Sequence, residues 1–544
     1  MILRREKDMS IRLKFNLIFL MVVVTMLFAI SDATILKARE SIGIVPIKED
    51  FQVNENMNSS DQRSPAIAVD DNGSFVIVWL EECIGEVNAK IYGQRYTSNG
   101  TAQGNNFRIS DETADIWPYT SPAIAMDGSG KFIVVWADGR DSYSGDEIYG
   151  QRYNSEGTAL GGNFKITDDA EDTIYPSSSP AIAADYNGNY IVVWQDARNG
   201  NDWDIYGQRY NSSGAAQGRN FKISDDTENF DQHNPAIAVD GRCNFGIVWT
   251  DGRNGGDLDD IYCQYFKSDG TAQNGNFKIN DEEAVIDYTS FSLPKIASDG
   301  SGNFMVVWRD FRDENWPLGD IYGQYYNSSG EPQSNNFMIN DDPGNIIQLE
   351  PAIAMNENGN FIVVWADERN ERSTKTNIYG QVFDINIHAS GANYRVNKST
   401  GLSNRSPDVK FVNNYIYYAW RDNRVSGQGS DIFARIDMFG YSSIEEDQKH
   451  QTSEYFLHPN YPNPFNPTTT IRYSIIGKDM IKLQIFDISG RLVKTLVNTE
   501  QQPGVFSVEW NARDDAGNAV TSGIYLYRLT AGNKVLNRKM ILTK

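Results

Sequence analysis

Apolar and polar positions repeat in one pattern along most of the chain. The stretch SPAIAMDGSGKFIVVWADGR, from Ser121 to Arg140, returns as SPAIAADYNGNYIVVWQDAR from Ser179 to Arg198. In both copies a short PAIA segment precedes a turn rich in Gly, Asn and Asp, and a continuous apolar run then ends in tryptophan. Short apolar segments bounded by such turns predict β-strands, and the continuous run predicts a strand buried on both faces.

The tryptophan marks seven copies of this pattern, spaced 55 to 59 residues apart, at Trp79, Trp136, Trp194, Trp249, Trp308, Trp365 and Trp420. Each copy predicts four strands, which we name A to D: PAIA, FIVVW, IYGQRY and, after a polar loop, NFKISD. No helical periodicity of useful length appears between them. The pattern therefore predicts an all-β repeat protein.

Seven four-stranded units predict a seven-bladed β-propeller over residues 51–440, because each small sheet can bury its faces only against its neighbours. An open solenoid is the alternative. The ends of the repeat favour a closed ring, since FQVNEN at Phe51 reads as an isolated strand D and the seventh unit stops after its strand C at Ile432. We expect the two ends to complete one blade, which removes an edge strand. Residues 34–50 are then a lead-in.

The connections between strands differ in how much their lengths vary. The strand A proline lies 14 residues before the strand B tryptophan in six units and 13 in the last, and 16 residues separate the strand C isoleucine from the strand D aromatic. The B–C spacing ranges over 11 to 13 and the D–A spacing over 13 to 17. A–B and C–D connections share one face of a propeller, so the other face carries the variable loops, where binding residues are expected.

Those variable loops carry aromatic and histidine side chains beside Asp and Asn. Flat rings stack on sugar faces while amides and carboxylates hold hydroxyl groups, so the loops predict a site for a glycan or an extracellular protein. The alternative is that the rings only pack the loops down. The candidate binding residues are Trp117, Tyr119, Tyr175, Trp203, His233, Tyr288 and Trp316.

A W-x-D-x-R pattern follows the tryptophan in six units. Arginines near carboxylates are similar to those of sialidases, propellers that clamp an acid sugar. Catalysis needs one asymmetric constellation, however, so six copies predict structural Asp/Arg pairs. The first unit departs from the pattern, with Glu81 and Cys83 in those places. The pairs are Asp138 and Arg140, Asp196 and Arg198, Asp251 and Arg253, Asp310 and Arg312, Asp367 and Arg369, and Asp422 and Arg424.

The sequence assigns no catalytic residue and no cofactor. The four histidines show no metal-ligand spacing, and no nucleophile elbow or phosphate loop occurs. Calcium stays open at SDETAD, TDDAED and SDDTEN, which match no complete loop motif. Because two well-placed carboxylates suffice to cleave a glycan, a glycoside hydrolase or polysaccharide lyase is the alternative to a binding or adhesion module, and a purely structural surface component is a third.

The net charge and the number of cysteines argue against several classes of protein. The chain has 72 acidic and 49 basic residues among 544, a formal net charge of -23, which argues against binding nucleic acid or anionic lipid. Its three cysteines, Cys83, Cys243 and Cys263, are too few for a disulfide framework. Stability must therefore come from packing.

The amino terminus has the organisation of a signal peptide. A basic start is followed by an apolar run from Phe15 to Ile30 and by small residues at Ser31 and Ala33. This order predicts a secretory signal over residues 1–33, with an uncleaved anchor helix as the alternative. No later stretch is apolar enough to predict a membrane span.

The repeat stops after Gly440. A polar linker is predicted over 441–455, and alternating strands split by Gly, Asn and Asp predict a small β-sandwich over 456–544. Its motifs are YPNPFNP (Tyr461 to Pro467), IFDISGRLV (Ile485 to Val493), VEWNARDDAGNAVTSGIYLYRL (Val508 to Leu529) and KMILTK (Lys539 to Lys544).

These motifs closely resemble the C-terminal sorting domain of type IX secretion cargo and the related Ig-like domain of flagellar hook-capping proteins. The resemblance covers the last sixth of the chain. It implies export, recognition of residues 456–544 by an outer-membrane translocon, and a secreted or cell-surface location in a Gram-negative-type bacterium. An Ig-like accessory domain without a sorting role is the alternative.

Overall fold

The computed structural model describes residues 42–55, 60–83, 85, 88–140, 145–168, 176–200, 202–226, 229–254, 259–286, 293–312, 319–341, 346–369, 375–398, 403–424, 429–441, 456–457, 460, 465, 467–475, 478–501, 504–532 and 534–543. The chain divides into two compact units, Met1–Tyr441 and Ser442–Lys544. Throughout the described residues the regular elements are β-strands, and no helix there is long and apolar enough to cross a membrane. The predicted signal peptide lies outside the described residues.

The first unit starts with β1 (Ile42–Gln52), and its described residues form seven four-stranded sheets. Six of these sheets are each built from four consecutive antiparallel strands. In chain order they are β2 (Ser60–Val69), β3 (Phe75–Cys83), β4 (Lys90–Tyr96) and β5 (Phe107–Arg108); β6 (Ala123–Met126), β7 (Phe132–Asp138), β8 (Glu147–Tyr153) and β9 (Phe164–Lys165); β10 (Ser177–Ala184), β11 (Tyr190–Asp196), β12 (Asp204–Tyr210) and β13 (Phe221–Lys222); β14 (Gln232–Val239), β15 (Phe245–Asp251), β16 (Asp260–Phe266) and β17 (Ala272–Lys278); β18 (Lys295–Ser298), β19 (Phe304–Asp310), β20 (Asp320–Tyr326) and β21 (Phe337–Met338); and β22 (Gln348–Met355), β23 (Phe361–Asp367), β24 (Asn377–Phe383) and β25 (Tyr394–Arg395).

The seventh sheet joins the two ends of the first unit. It consists of β26 (Asn404–Val412), β27 (Tyr415–Asp422) and β28 (Asp431–Tyr441), with β1 paired to the outer side of β28. Phe51 lies opposite Ala434, and Ile42 lies opposite Tyr441. The strand therefore begins inside the predicted lead-in of 34–50, because β28 is long enough to offer backbone partners as far as Tyr441.

The first strands of the sheets contact one another in order. Strand β2 contacts β6, β6 contacts β10, and the series continues through β14, β18 and β22 to β26, which in turn contacts β2. The fourth strands are shorter than NFKISD predicts, with two residues in β5, β9, β13, β21 and β25. One further hydrogen bond, from the Ile166 N–H to the Ile148 carbonyl at 2.8 Å, prolongs the pairing beyond β9.

The continuous apolar runs are buried, as the pattern predicts. Every residue of β7, β11, β15, β19 and β23 is buried, and all seven repeat tryptophans are fully buried. The cores lie between neighbouring sheets: Trp136 of β7 packs in one cluster with Val78 of β3 and Ile91 of β4. A strand that touches a neighbouring sheet on both faces has no side that tolerates polar side chains.

The short A–B turns are held by their own aspartates. Asp127 Oδ1 accepts hydrogen bonds from the backbone N–H groups of Ser129 at 2.9 Å and Lys131 at 3.0 Å. Gly130 has a φ of +89°, and a Cβ placed on it would lie 3.6 Å from Cβ of Ser155 in the C–D turn. The A–B and C–D connections therefore lie side by side on one face, with little room for variation in length.

The second unit is a two-sheet sandwich. A three-stranded sheet has the order β29-β30-β33 and a four-stranded sheet the order β32-β31-β34-β35. Ile471 and Trp510 from the first sheet share a core with Leu483 and Tyr527 from the second. The strands are β29 (Phe456–Leu457), β30 (Thr469–Ile475), β31 (Asp479–Asp487), β32 (Leu492–Gln501), β33 (Gly504–Trp510), β34 (Gly523–Ala531) and β35 (Lys534–Leu542).

Candidate functional site

The variable B–C and D–A connections meet on the face opposite the short turns. The backbone N–H of Ser177, after one D–A loop, donates to the carbonyl of Asp146 in a B–C loop at 2.7 Å. In the next sheet the N–H of Gln232 donates to the carbonyl of Trp203 at 2.7 Å. We call this surface, built from the B–C and D–A connections, the loop face.

Two of the predicted aromatics form an exposed pair on the loop face. The Trp117 and Tyr119 rings lie 6.0 Å apart between centroids, with an angle of 13° between their planes. Trp117 is 44% exposed and Tyr119 is 79% exposed, although both are large apolar side chains. A hydrogen bond of 3.0 Å from the Thr120 N–H to the Trp117 carbonyl closes the turn that carries them. The pair presents flat apolar surface to solvent.

A half-buried carboxylate lies beside the loop that carries this pair. It belongs to Asp146, on the B–C connection just before β8, and the Trp117 side chain acts to lower the pKa of this carboxyl. Asp115 is its neighbour, because a Cβ placed on Gly139 would lie 3.2 Å from Asp146 Oδ1 and 3.5 Å from Asp115 Oδ2. Burial, and then the negative charges of Asp138 and Asp115, raise the pKa of Asp146 to about 6.

Both carboxylate oxygens of Asp138 already accept hydrogen bonds. Its Oδ2 accepts the indole N–H of Trp136 at 2.9 Å and Nη2 of Arg140 at 2.6 Å. Its Oδ1 accepts the backbone N–H of Asp115 at 3.1 Å. The buried aspartate thus fixes the start of the loop that carries Trp117, and its own charge is paired with Arg140.

Trp203 and His233 form a second pair, between β12 and β14. Their ring centroids lie 6.1 Å apart. Asp231 Oδ1 accepts the Trp203 backbone N–H at 3.0 Å, and Asp231 Oδ2 lies 3.9 Å from Nε2 of His233. Burial lowers the pKa of His233, while the Asp231 carboxylate opposes that shift. Trp203 is partly buried, so this pair offers less ring surface than Trp117 and Tyr119.

Of the seven sequence-predicted binding residues, the structure therefore brings together Trp117 with Tyr119 and Trp203 with His233. The two pairs belong to different sheets. Tyr175, Tyr288 and Trp316 lie outside the described residues. Whether any of these side chains binds a ligand stays a prediction.

The six Asp/Arg pairs share one geometry. In each, the buried aspartate accepts the tryptophan indole N–H two residues before it and forms an ion pair with the arginine two residues after it. Arg253 illustrates the further contacts of these arginines. Its guanidinium lies 4.2 Å from the Tyr262 ring centroid, and Nη1 lies 2.7 Å from Asp225 of the preceding repeat. Five of the six arginines tie their sheet to the preceding one through such an acid. Arg424 instead pairs with Asp50 of β1, which lies in its own sheet.

The first unit lacks this arrangement, as its sequence indicates. Glu81 stands in place of the aspartate, and the buried Trp79 Nε1 has no hydrogen-bond partner among the described residues. Cys243 and Cys263 are free thiols. Burial, and then the neighbouring Asp185, raise the pKa of the Cys243 thiol to about 11.

A three-carboxylate cluster lies near Trp203. Oxygens of Asp202, Asp204 and Asp226 all lie within 4.8 Å of one another. Lys222 Nζ lies within this cluster, 2.6 Å from Asp204 and 3.4 Å from Asp226. Its ammonium already supplies a counter-charge, and the same Lys–carboxylate contact recurs between Lys165 and Glu147 at 2.9 Å. The Lys222–Asp204 contact therefore belongs to the repeat scaffold, and calcium at SDDTEN stays a prediction.

Sequence reasoning missed Asp146, which is one acidic residue among 72. Asp115 is covered only as the last residue of SDETAD, one of the stretches left open for calcium, and it stands two residues before Trp117. A usable signal for Asp146 is position, since it stands two residues before the strand C isoleucine, at the end of a variable loop. Recognising its role requires its neighbours Asp115 and Asp138, which come from other parts of the fold.

A family model matches part of the second unit. Residues 477–534 match the FlgD Ig-like domain. This confirms the Ig-like part of the sequence resemblance for those residues. The sorting role stays a prediction, and no curated protein matches the chain.

Several solved structures are similar to the chain at low identity. They include the polysaccharide lyase Uly1 (9% identity, 73% of this chain and 99% of that chain, TM-score 0.46). The β-propeller domain of the Trilobed protease from Pyrococcus furiosus is another (10%, 71% and 98%, TM-score 0.41). A third is the α-L-arabinanase of Penicillium chrysogenum complexed with arabinobiose (11%, 72% and 98%, TM-score 0.40). At these values no ligand or activity is carried over to this chain.

Proposed function

We propose that this chain is an exported, closed seven-bladed β-propeller that binds a glycan through its loop face. The pairing of β1 with β28 and the contact of β26 with β2 support the closed ring. A ring of sheets buries both faces of every strand B run, which an open solenoid does not do at its ends.

The exposed stack of Trp117 and Tyr119 carries the binding proposal. Burying two such rings in a core stabilises a fold, so leaving both in solvent needs a reason outside the fold. Parallel rings beside hydrogen-bonding carboxylates suit a sugar, whose apolar face stacks on the ring while its hydroxyl groups meet the acids. The two rings also stack on each other, so their relative orientation is set before a ligand arrives.

We propose further that the second unit directs export through a type IX secretion system to the cell surface or the medium. The ordered motifs from Ile485 to Leu529, within and beside the Ig-like match, support this assignment. Deleting residues 456–544 is expected to retain the propeller in the periplasm. Normal surface delivery of that truncated chain would contradict the export proposal.

Affinity electrophoresis tests glycan binding. The purified chain is run through native gels containing glycol chitin, glycol chitosan, xylan, arabinan or alginate, and the gels are then stained for polymer. We expect retardation in at least one gel, and loss of it for Trp117→Ala and Tyr119→Ala. Tyr186→Ala is the matched control, since Tyr186 is 65% exposed but lies in an A–B turn on the opposite face.

The remaining outcomes count against the proposal. A cleared zone would replace the binding function with the enzyme alternative. Absence of retardation in every gel would contradict glycan binding. Equal loss for Tyr186→Ala and Trp117→Ala would show that the loop face is not the site.

A further inference from the structure

The charge around the exposed aromatic pair is one-sided. The groups that act on Asp146 are the carboxylates of Asp138, Asp115 and Glu147 and the hydrogen-bonding side chain of Trp117. Among the described residues, Asp146 has no ion pair with a lysine or arginine. A flat aromatic surface therefore lies beside an acid that lacks a cationic partner.

The arginine beside Asp138 is already committed. Arg140 Nη2 pairs with Asp138 at 2.6 Å, and Nη1 pairs with Asp111 at 2.9 Å. Its guanidinium lies 4.5 Å from the ring centroid of Tyr149, so it is also packed in place. Moving Arg140 toward Asp146 would leave the buried Asp138 without its counter-charge, which is unfavourable. A ligand cation can therefore supply a positive charge that no described lysine or arginine supplies to Asp146.

We propose that the Trp117 site selects saccharides that carry a free amino group, with the ligand ammonium bound between Asp146 and the exposed aromatic pair. This inference rests on the proposed glycan-binding function and specifies its ligand class. The faces of tryptophan and tyrosine rings attract cations, and an ammonium has donors for the Asp146 carboxylate. Uronic acids are disfavoured, because their carboxylates would lie near the negative charges of Asp146 and Asp115.

The expected preference for free-amine saccharides follows from coupling between ligand binding and the ionisation of Asp146. Burial and neighbouring carboxylates make ionised Asp146 unfavourable, and this raises its pKa to about 6. A ligand cation offsets that penalty, so its binding and the ionisation of Asp146 favour each other. An N-acetylated sugar lacks the charge and gains only the stacking on the rings.

The test compares glucosamine hexamer with N-acetylglucosamine hexamer by isothermal titration calorimetry at pH 6.5. The full chain is expected to bind the free-amine hexamer at least tenfold more tightly. Asp146→Asn keeps the size and polarity of the side chain but removes the charge, and the ratio of the two affinities should fall toward one. Using the ratio removes any general loss of affinity caused by the variant.

A control is needed because a chain of net charge -23 attracts any polycation. Asp269→Asn removes one charge from a C–D turn on the opposite face, where Asp269 Oδ1 accepts the Thr271 backbone N–H at 2.8 Å. This variant should keep the full affinity ratio. An equal fall for Asp269→Asn and Asp146→Asn would assign the preference to overall charge and overturn the proposal.

The outcomes separate this inference from the function on which it rests. Equal binding of both hexamers by the unaltered chain, abolished in Trp117→Ala, would leave glycan binding standing and overturn the ammonium site. Binding of neither hexamer would overturn the ammonium site, while retardation by another polymer in the gels would still support glycan binding.

Discussion

The carboxylates of Asp146 and Asp115 both lie next to Gly139, where a Cβ would be 3.2 Å from Asp146 Oδ1 and 3.5 Å from Asp115 Oδ2. The two acids are 31 positions apart and come from different connections, and Asp115 stands two residues before the exposed Trp117. A half-buried acid of one connection therefore lies against the loop that carries the exposed ring.

Asp146→Asn is expected to stabilise the fold at neutral pH. Because the folded state raises the pKa of Asp146 to about 6, protonation favours folding. That contribution is complete below about pH 4 and is lost as the pH rises through 6. Solvent screening reduces this effect at a half-buried carboxyl, so the variant should exceed the unaltered chain in free energy of unfolding by on the order of 1–2 kcal/mol at pH 7.5.

Urea denaturation across pH 4 to 8 measures this effect. The difference between Asp146→Asn and the unaltered chain should shrink to zero near pH 4. A difference that is independent of pH would mean that the substitution acts through packing rather than through charge.

Gly139→Val should weaken glycan binding. A Cβ at Gly139 would lie 3.2 Å from Asp146 and 3.5 Å from Asp115, so the added methyl groups displace both acids and the loop that continues from Asp115 to Trp117. The dissociation constant should rise about tenfold, as expected for the loss of one or two contacts. Gly252→Val is the control, because Gly252 has the equivalent position near Asp259 at 3.5 Å, away from Trp117. Equal effects of the two substitutions would contradict a site at Trp117.

The indole N–H groups of the repeat tryptophans should differ in how much they contribute to the free energy of unfolding. Trp249 donates to Asp251 at 2.8 Å, whereas the Trp79 N–H has no partner among the described residues. Trp249→Phe should therefore lower the free energy of unfolding by roughly 1.5–3 kcal/mol more than Trp79→Phe, the value of a hydrogen bond to a charged group. Thermal or urea denaturation of the two variants measures this difference. Equal losses of stability would contradict a contribution from the Trp249 indole hydrogen bond.

The proposed closure of the ring predicts that the chain associates when β1 is removed. Deleting residues 34–52 removes β1 and exposes the backbone edge of β28, which invites pairing between chains. Size-exclusion chromatography with light scattering should show oligomers or aggregate for this deletion, and monomer for the control deletion of residues 34–41. A monomer of unchanged thermal midpoint after loss of β1 would contradict closure.

The hydrophobic pattern predicts the four-stranded units because each strand B must be apolar on both faces to sit between two sheets. It also predicts the partner of Phe51, since an unmatched strand D at one end and a missing one at the other leave one pairing available. It does not predict that β1 starts at Ile42, because the segment IGIVPIKED carries no repeat signature and pairs only because β28 extends to Tyr441.

The candidate site is less visible in sequence for a physical reason. Trp117 and Trp203 stand out by residue type, but the degree of exposure that distinguishes them depends on how loops from different repeats meet. Asp146 is chemically distinctive only through burial and its neighbours Asp138 and Asp115, and those neighbours come from other strands and connections. Long-range contacts of this kind have no signature in local spacing.

The most direct test of the account is fluorine NMR of the full chain labelled with 5-fluorotryptophan. The Trp117 signal is identified by its absence in Trp117→Phe, and the labelled chain is titrated with glucosamine hexamer and N-acetylglucosamine hexamer. The account predicts that the Trp117 signal shifts with a saturating curve while that of the buried Trp136 stays fixed, with earlier saturation by the free-amine hexamer. An unmoved Trp117 signal under conditions where calorimetry reports binding would contradict the proposed site.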